Sequence, residues 1–448
     1  NYTPEKISSY YLENVILGSG VKPEEIDRLT VTVPASFTNE QRISTLAAVE
    51  QAVVRLGMDL PSENISLLSE PLAAWISYLS EQFKSASDSG SNYFDIDFRS
   101  GSEILVYDLG GGTLDLTLLK VSLDQGASVE YDNVKCKILN IGRYNAVGGT
   151  DCDKLIALDL LRRFEINHPD FSMAKISKQE AQSIKSILLN YGEKIKLAIN
   201  EAYTDEDDEV DFPQGVRLDV GGNRYEIEAE YALDEALGLL DSLMKGPGAQ
   251  FFKPVFDLLE LDPEDYAPSD IPENILLIGG MTEFSYVQDQ VKEIFGRRPL
   301  VTPQPQYAVA RGAAIYSELK SRGSEEYSEF AADSYYVWTK SGFKKILGRD
   351  SIGGEEIESV HKLASATDAF DLKIFAGEDT KFEHLSVDKL SSLVSQGVTT
   401  ITLDKPYPKG TDVTLVMRFD DNKIPSIKIL VESALVRDWC KLGDLGSE

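Results

Sequence analysis

Between Leu105 and Leu119 the chain reads LVYDLGGGTLDLTLL, an apolar run broken by one acid, three glycines and a threonine. A bare glycine triplet between strands is an ordinary hairpin turn. Here the flanks carry chemistry as well. Asp108 ends a run in which Ile104, Leu105 and Val106 are apolar, and Asp115 lies just inside the segment that leaves the turn. A carboxylate in such a setting is costly unless it is paired or bound to a metal. Gly110, Gly111 and Gly112 have no side chains to hold an anion away from the backbone N–H groups, and Thr113 adds a hydroxyl at the same edge. An acid, amides and a hydroxyl together suit a magnesium-phosphate. Two more glycine pairs sit at comparable places: Gly279-Gly280 after the apolar NILLI, and Gly148-Gly149 just before Asp151.

Alternating elements must position these groups. TPEKISSYYLENVILGSG reads as a helix with Thr3 as N-cap and Pro4 in the first turn. DRLTVTV reads as a strand that stops at Pro34, and Thr38 with Gln41 has the spacing of a capping box ahead of a helix ending at Gly57. ISLLSE predicts a strand and PLAAWISYLSEQF a helix, so β and α alternate as in largely parallel mixed sheets. Residues 84–102 are rich in Ser, Gly and Asp and read as a surface loop or hinge. EILVYDL, TLDLTLLKV and VKCKILNI are strand-like. The mostly helical stretch 145–270 reads as an inserted subdomain, with a hairpin at RLDVGGNRYEIEA and a solvated acidic loop at TDEDDEVD. NILLIGG, YVQDQVKEIFG and QYAVARGAAIYSELK restore the β/α rhythm. Beyond a polar stretch, FDLKIF, VTTITL, DVTLVMRF and SIKILVE predict a separate β domain that folds by itself.

With 448 residues, and about 150 per domain as a guide, the chain calls for two or more domains. Hydrophobic residues make up 42% and charged residues 26%, with no apolar stretch near the ~20 residues of a membrane helix, so a soluble protein without a membrane partner is expected. Seventy-four acids against 44 bases give a net charge of −30, a field that repels nucleic acid. Cys136, Cys152 and Cys440 have neither disulfide nor zinc spacing, which fits a reducing cytoplasm. The first residue is Asn1 rather than methionine, so the natural start is expected upstream.

In their order along the chain, the three glycine sites fit the two-lobed ATPase architecture shared by actin, sugar kinases and heat-shock chaperones. The sequence resembles the 70-kDa heat-shock chaperone family of the DnaK type. The resemblance rests on VTVPASFTNEQR, LLSEPLAAWISYL, ILVYDLGGGTLDLTLL, AVGGTDCDKLI, GEKIKLAIN, ILLIGGMTEF and YAVARGAAI, and further on in KPYPKGTDVTLVMRFDDNKIPSIKILVES. It implies an α/β chain: an actin-like (ribonuclease-H-like) two-lobed ATPase domain, N-terminally incomplete, followed by an all-β sandwich-like domain without a helical lid. The implied domains are 1–320 for nucleotide, 321–333 as linker and 334–448 for substrate. Within the first, 1–84 is the remainder of lobe I, 103–144 and 271–320 form the core of lobe II, and 145–270 is the insertion.

By the same resemblance, Gly110, Gly111, Gly112 and Thr113 match a phosphate loop, and Asp108 matches the acid that holds magnesium through water. Glu70 matches a carboxylate near the metal and the attacking water, so Glu70, Asp108 and Thr113 are the candidate catalytic residues. Gly148 and Gly149 also belong to the nucleotide site. Glu193, Lys196 and Asn200 match the helix face toward adenosine, and Gly279, Gly280 and Met281 the adenine-side loop. Pro34 and Arg42 match positions that couple nucleotide state to the substrate domain. The implied cofactors are ATP or ADP with Mg2+, and the implied partners are unfolded or extended polypeptide clients and co-chaperones.

The chain also departs from the family. Glu283 stands where the family stacks an arginine on adenine, Gln306 where it has an aspartate, and Met281 where it has a serine. An acid cannot make the cation contact. The family's first phosphate loop and its lysine have no counterpart after Asn1, so hydrolysis is expected in the complete protein and weak or absent in this chain alone. A non-hydrolysing scaffold with the same fold is the rival reading. A small-molecule kinase of the superfamily is a third, with no place for the β domain.

Overall fold

The helix starts that the sequence marks are formed by the capping it marks. In the computed structural model, Thr3 Oγ1 accepts from Lys6 N at the head of helix Pro4–Gly18. At the head of Asn39–Leu56 the Thr38 and Gln41 side chains satisfy each other's backbone N–H groups. That helix stops where Gly57 turns left-handed at φ 65°. The structure describes residues 2–90, 94–99, 101–123, 133–142, 145–211, 216–220, 223–227, 230–322, 327–328, 331, 333–349, 351, 353–377, 384–385 and 393–445. The chain divides into two units: Asn1–Ser77 with Gly126–Ile138 and Val309–Glu448, and Tyr78–Gln125 with Leu139–Ala308.

In the first unit, strands Leu29–Val33 and Ile65–Ser69 pair in parallel, with Val31 opposite Leu67. Helix Asn39–Leu56 lays Leu46, Val49 and Val53 on them. Helices Glu70–Ser89 and Ala308–Ser321 approach so closely that a Cβ on Gly312 would overlap the Ala73 carbonyl. The β region forms a five-stranded sheet and a four-stranded sheet over one apolar core that includes Tyr335, Leu372, Ile374, Leu415 and Ile429. FDLKIF, VTTITL, DVTLVMRF and SIKILVE lie in strands Thr367–Gly377, Val394–Tyr407, Asp412–Phe419 and Pro425–Val431.

The turn that follows Phe419 does not stay within the β region. Asp420 Oδ1 accepts from Asn422 N and Ile424 N, each at 2.9 Å, and shapes a tight tip. Asn422 Oδ1 accepts from Leu67 N at 2.8 Å, and Ile424, 0% exposed, joins the core formed by Val33, Val49 and Leu67.

The second unit is built on strands in the order Leu300–Val301, Asn274–Ile278, Ser102–Leu109, Leu114–Leu123. The first three strands run parallel, and Ser102–Leu109 pairs antiparallel with Leu114–Leu123 through the glycine turn. Helices Gly149–Asn167 and Lys178–Asp205 pack on it through Ile156, Leu160, Leu188 and Ile195.

Two expectations change in detail. Helix Glu70–Ser89 begins one residue before Pro71 and runs on past Phe83 through the serine-rich segment. No proline or glycine interrupts it before Gly90, which takes φ 63°. In TDEDDEVD, Asp205 ends a helix and Glu209–Val210 pairs with Tyr231–Ala232, because Val210 is apolar and buried amid the acids. The hairpin Val216–Val220 with Asn223–Ile227 forms, while its Gly221-Gly222 centre lies outside the described residues. So do 91–93 and 100 of the expected hinge and 323–326, 329–330 and 332 of the expected linker. Among the described residues no helix is long and apolar enough to cross a membrane, and the three cysteines are free thiols.

Candidate functional site

The second unit brings together the glycine turn, both later glycine pairs and the face of helix Lys178–Asp205. The turn itself is tied down by its carbonyls. Gly149 N donates to Gly110 O at 3.1 Å, and Thr150 donates to Gly111 O from both its amide at 2.6 Å and its hydroxyl at 2.5 Å. Gly110 N is closed onto Thr113 O at 2.9 Å. Among the described residues the amides of Gly111, Gly112 and Thr113 donate to no protein group, and Gly111 and Gly112 are exposed. Carbonyls held away and successive amides left open make a concavity for an anion.

The close fit depends on glycine. A Cβ on Gly148 would stand 2.7 Å from both Gly110 O and Gly112 N and 2.8 Å from Gly111 C. Gly279 has φ 86° and ψ 150°, a region that glycine alone adopts readily, and a Cβ there would meet Asp108 Oδ1 at 2.7 Å. Gly279 thus lets the strand ends Asp108 and Ile278, which are in register, stay adjacent. Asp108 is half-buried and lies opposite Asp115 in the antiparallel pair. Directly opposed like charges destabilise a sheet.

Thr113 binds that second acid: its hydroxyl donates to the Asp115 carboxylate. Burial raises the Asp115 carboxyl above the usual carboxylate range, and the Thr113 bond pulls the other way. A carboxyl with a higher pKa in the folded chain favours folding most when protonated. Its contribution is complete below the unfolded value of about 4 and is lost as pH rises through the folded value. Asp115→Asn, which keeps an acceptor for Thr113, is therefore expected to raise the melting temperature more at about pH 7 than at about pH 4. Equal gains at both pH values would exclude charge as the cause.

Lys196 is half-buried and doubly engaged, with Nζ 2.7 Å from Asp153 Oδ1 and 3.3 Å from Gly149 O. Burial pushes the Asp153 carboxyl up while the Lys196 ammonium counteracts it. Asn200 Oδ1 accepts from Ser285 N at 2.8 Å and so caps helix Ser285–Phe295, while Glu193, one turn before Lys196, is exposed. Met281 is buried in the unit's apolar core; Gly280, Glu283 and Gln306 are exposed nearby.

The remaining sequence candidates lie in the first unit. Glu70 is half-buried and opens helix Glu70–Ser89 directly after strand Ile65–Ser69. Pro34 follows strand Leu29–Val33. Arg42, 1% exposed, donates from Nη1 to Asn422 O at 3.4 Å, so it touches the tip of the β region. Two contributors escaped the sequence reading. Thr150 holds the loop carbonyl and Asp153 holds Lys196; the available signal was a hydroxyl and two acids in the first turn after a glycine pair, GGTDCD. Among the described residues no three His, Cys, Asp or Glu side chains converge on a direct metal site. Magnesium bound through water commonly takes one or two carboxylates together with a substrate's phosphates, so it needs no such cluster.

The family model described as Hsp70 protein matches residues 1–427. The chaperone protein HscA of Salmonella heidelberg is 30% identical over 295 residues, which cover 66% of this chain and 37% of that protein. HscA of Salmonella arizonae is 29% identical over the same shares. The chain spans little more than a third of the length of these relatives. With the Hsp70 model matched over most of its length and the glycine sites drawn onto one anion-ready turn, the chain belongs to the Hsp70 family.

Proposed function

We propose that the chain is part of an ATP-dependent chaperone of the Hsp70 type, in which it holds the phosphates of Mg-ATP on residues 110–113, with hydrolysis by the complete protein and weak or absent hydrolysis by this chain alone. The observation that carries this reading is the set of open amides at Gly111, Gly112 and Thr113, on a turn whose carbonyls are tied to the start of helix Gly149–Asn167. Those amides would bind and orient the terminal phosphates. Asp108 would hold magnesium through water, and the metal would supply neutralisation of the charge that develops on the phosphates. Glu70 is proposed to orient the attacking water. The β region, residues 334–448, is proposed to take an extended polypeptide by backbone pairing and apolar pockets, with co-chaperones as further partners, in the cytoplasm. Pro34 and Arg42 are proposed to carry the coupling, which the bond from Arg42 to Asn422 O in the β region supports.

Gly148→Ala tests the nucleotide part. The added methyl meets three backbone atoms of the turn, so the turn must move, and calorimetric binding of Mg-ATP is expected to weaken by about tenfold or more. Unchanged affinity would take the phosphates off this loop. The scaffold reading is favoured by one observation, the burial of Met281 beside the same site.

A further inference from the structure

The five-stranded sheet of the β region ends on strand Val394–Tyr407, and the four-stranded sheet ends on Ala434–Lys441. The two end strands meet along one cavity of about 330 Å³, lined by Val398–Thr402 from the first, Val436 and Arg437 from the second, and Leu445. Ile401, Leu403 and Tyr407 anchor the first strand in the apolar core, and its ladder to Thr367–Gly377 spans its whole length. That ladder uses one edge only. Among the described residues, the backbone groups of Val398–Leu403 that point away from it reach no protein partner.

Proteins commonly blunt such an edge with a charge, a proline or a covering segment. From Val394 to Leu403 there is neither a charge nor a proline; Asp404, Lys405 and Pro406 come only afterwards. Five of the six residues Val398–Leu403 are β-branched, which suits them to pair on both sides. Val398, 57% exposed, and Thr402 are open to solvent. In a chain of net charge −30, the one charged residue among those lining the cavity is the cation Arg437. A strand already fixed by its own core can take a partner without being ordered first. We propose that an extended polypeptide segment with β-branched residues around an acid adds as a further strand on the Val398–Leu403 edge, its acid set against Arg437. This rests on the reading that the β region takes an extended polypeptide, and it gives that polypeptide a place and a sequence preference.

Fluorescence anisotropy on the intact chain tests it, with a labelled heptapeptide that alternates valine and threonine about a central glutamate. Saturable binding is expected. N-methylation of the amides along one edge of the peptide should weaken it by about tenfold or more, while the same change along the other edge leaves it within about twofold. Val398→Glu combined with Thr402→Glu puts acids on the strand and should also weaken binding by about tenfold or more. Both positions are exposed, so melting should match the parent; if the variant does not fold, the methylated peptides carry the test. Replacing the peptide's glutamate by glutamine is expected to cost about threefold with the parent and nothing with Arg437→Gln. Equal affinity with either edge methylated overturns the proposal, because side chains alone would then hold the peptide. Binding untouched by the double variant overturns it too, and leaves the wider reading standing with the polypeptide elsewhere in the β region. A dimer of the chain that the double variant abolishes would overturn it by making a second copy the occupant. Binding of apolar heptapeptides but not of this one overturns the proposal alone, whereas binding of no peptide overturns the reading of the β region with it.

Discussion

Gly312→Ala is expected to destabilise the first unit by about 3 kcal/mol or more, beyond the usual range for overpacking, because the clash is with backbone. The added methyl would overlap the Ala73 carbonyl oxygen, with the Ala73 carbonyl carbon and Cα close behind. A flexible side chain could turn aside; a peptide group in the first turns of helix Glu70–Ser89 moves only with its helix. That helix carries Leu72, Ala74, Trp75 and Ile76, all fully buried, so the displacement propagates into packed side chains. At about 2–4 °C per kcal/mol for a unit of this size, the melting transition should fall by about 6 °C or more. Gly238→Ala is the control: it lies in helix Leu233–Leu239 with nothing within 4 Å of the new methyl, and should be neutral or stabilising by about 0.4–1 kcal/mol. Equal behaviour of the two variants in thermal melts would contradict the close helix approach at Gly312.

The second large effect is at Ile424. Ile424→Ala removes a fully buried side chain and leaves a cavity, at a cost of about 2–5 kcal/mol. The location of the loss is the informative part. Ile424 belongs to the β region by chain position but packs with Val33, Leu46, Val49, Val53 and Leu67. Hydrogen exchange should therefore accelerate in strands Leu29–Val33 and Ile65–Ser69 as well as in the flanking strands Asp412–Phe419 and Pro425–Val431. Loss of protection confined to the β strands would mean that the tip does not share that core. Loss in both would show that residues 334–448, expected from their strands to fold by themselves, depend on the segment 29–69 for part of their stability.

Much of this chain was legible before any coordinates. The helix starts at Thr3 and Thr38 were readable because capping is decided by residues three apart, and the stop at Gly57 because one left-handed residue suffices. The order of β and α segments, the glycine turn after Asp108 and the β-rich texture after residue 366 are likewise local signals. The strands Ser334–Thr339 and Ile357–Lys362 were harder: each mixes polar and apolar residues, and pairing partners decide such segments.

Only the tertiary structure decided what the site residues do. Spacing placed Glu193, Lys196 and Asn200 on one helix face, but Lys196 turned to Asp153 and Asn200 to Ser285 because those partners come from other parts of the chain. The sequence contained Met281 as an unusual residue; its position against Gly149 emerged from packing. Gly312 looks like any other glycine along the chain, and Gly148 stands out there only as one of a pair before an acid. Their importance comes from backbone brought to them from Ala73 and from the 110–112 turn, and a sequence-local reading has no access to such contacts. Hydrogen bonding within a few residues is set by the chain itself, whereas contact between distant segments is set by which apolar faces must be buried together.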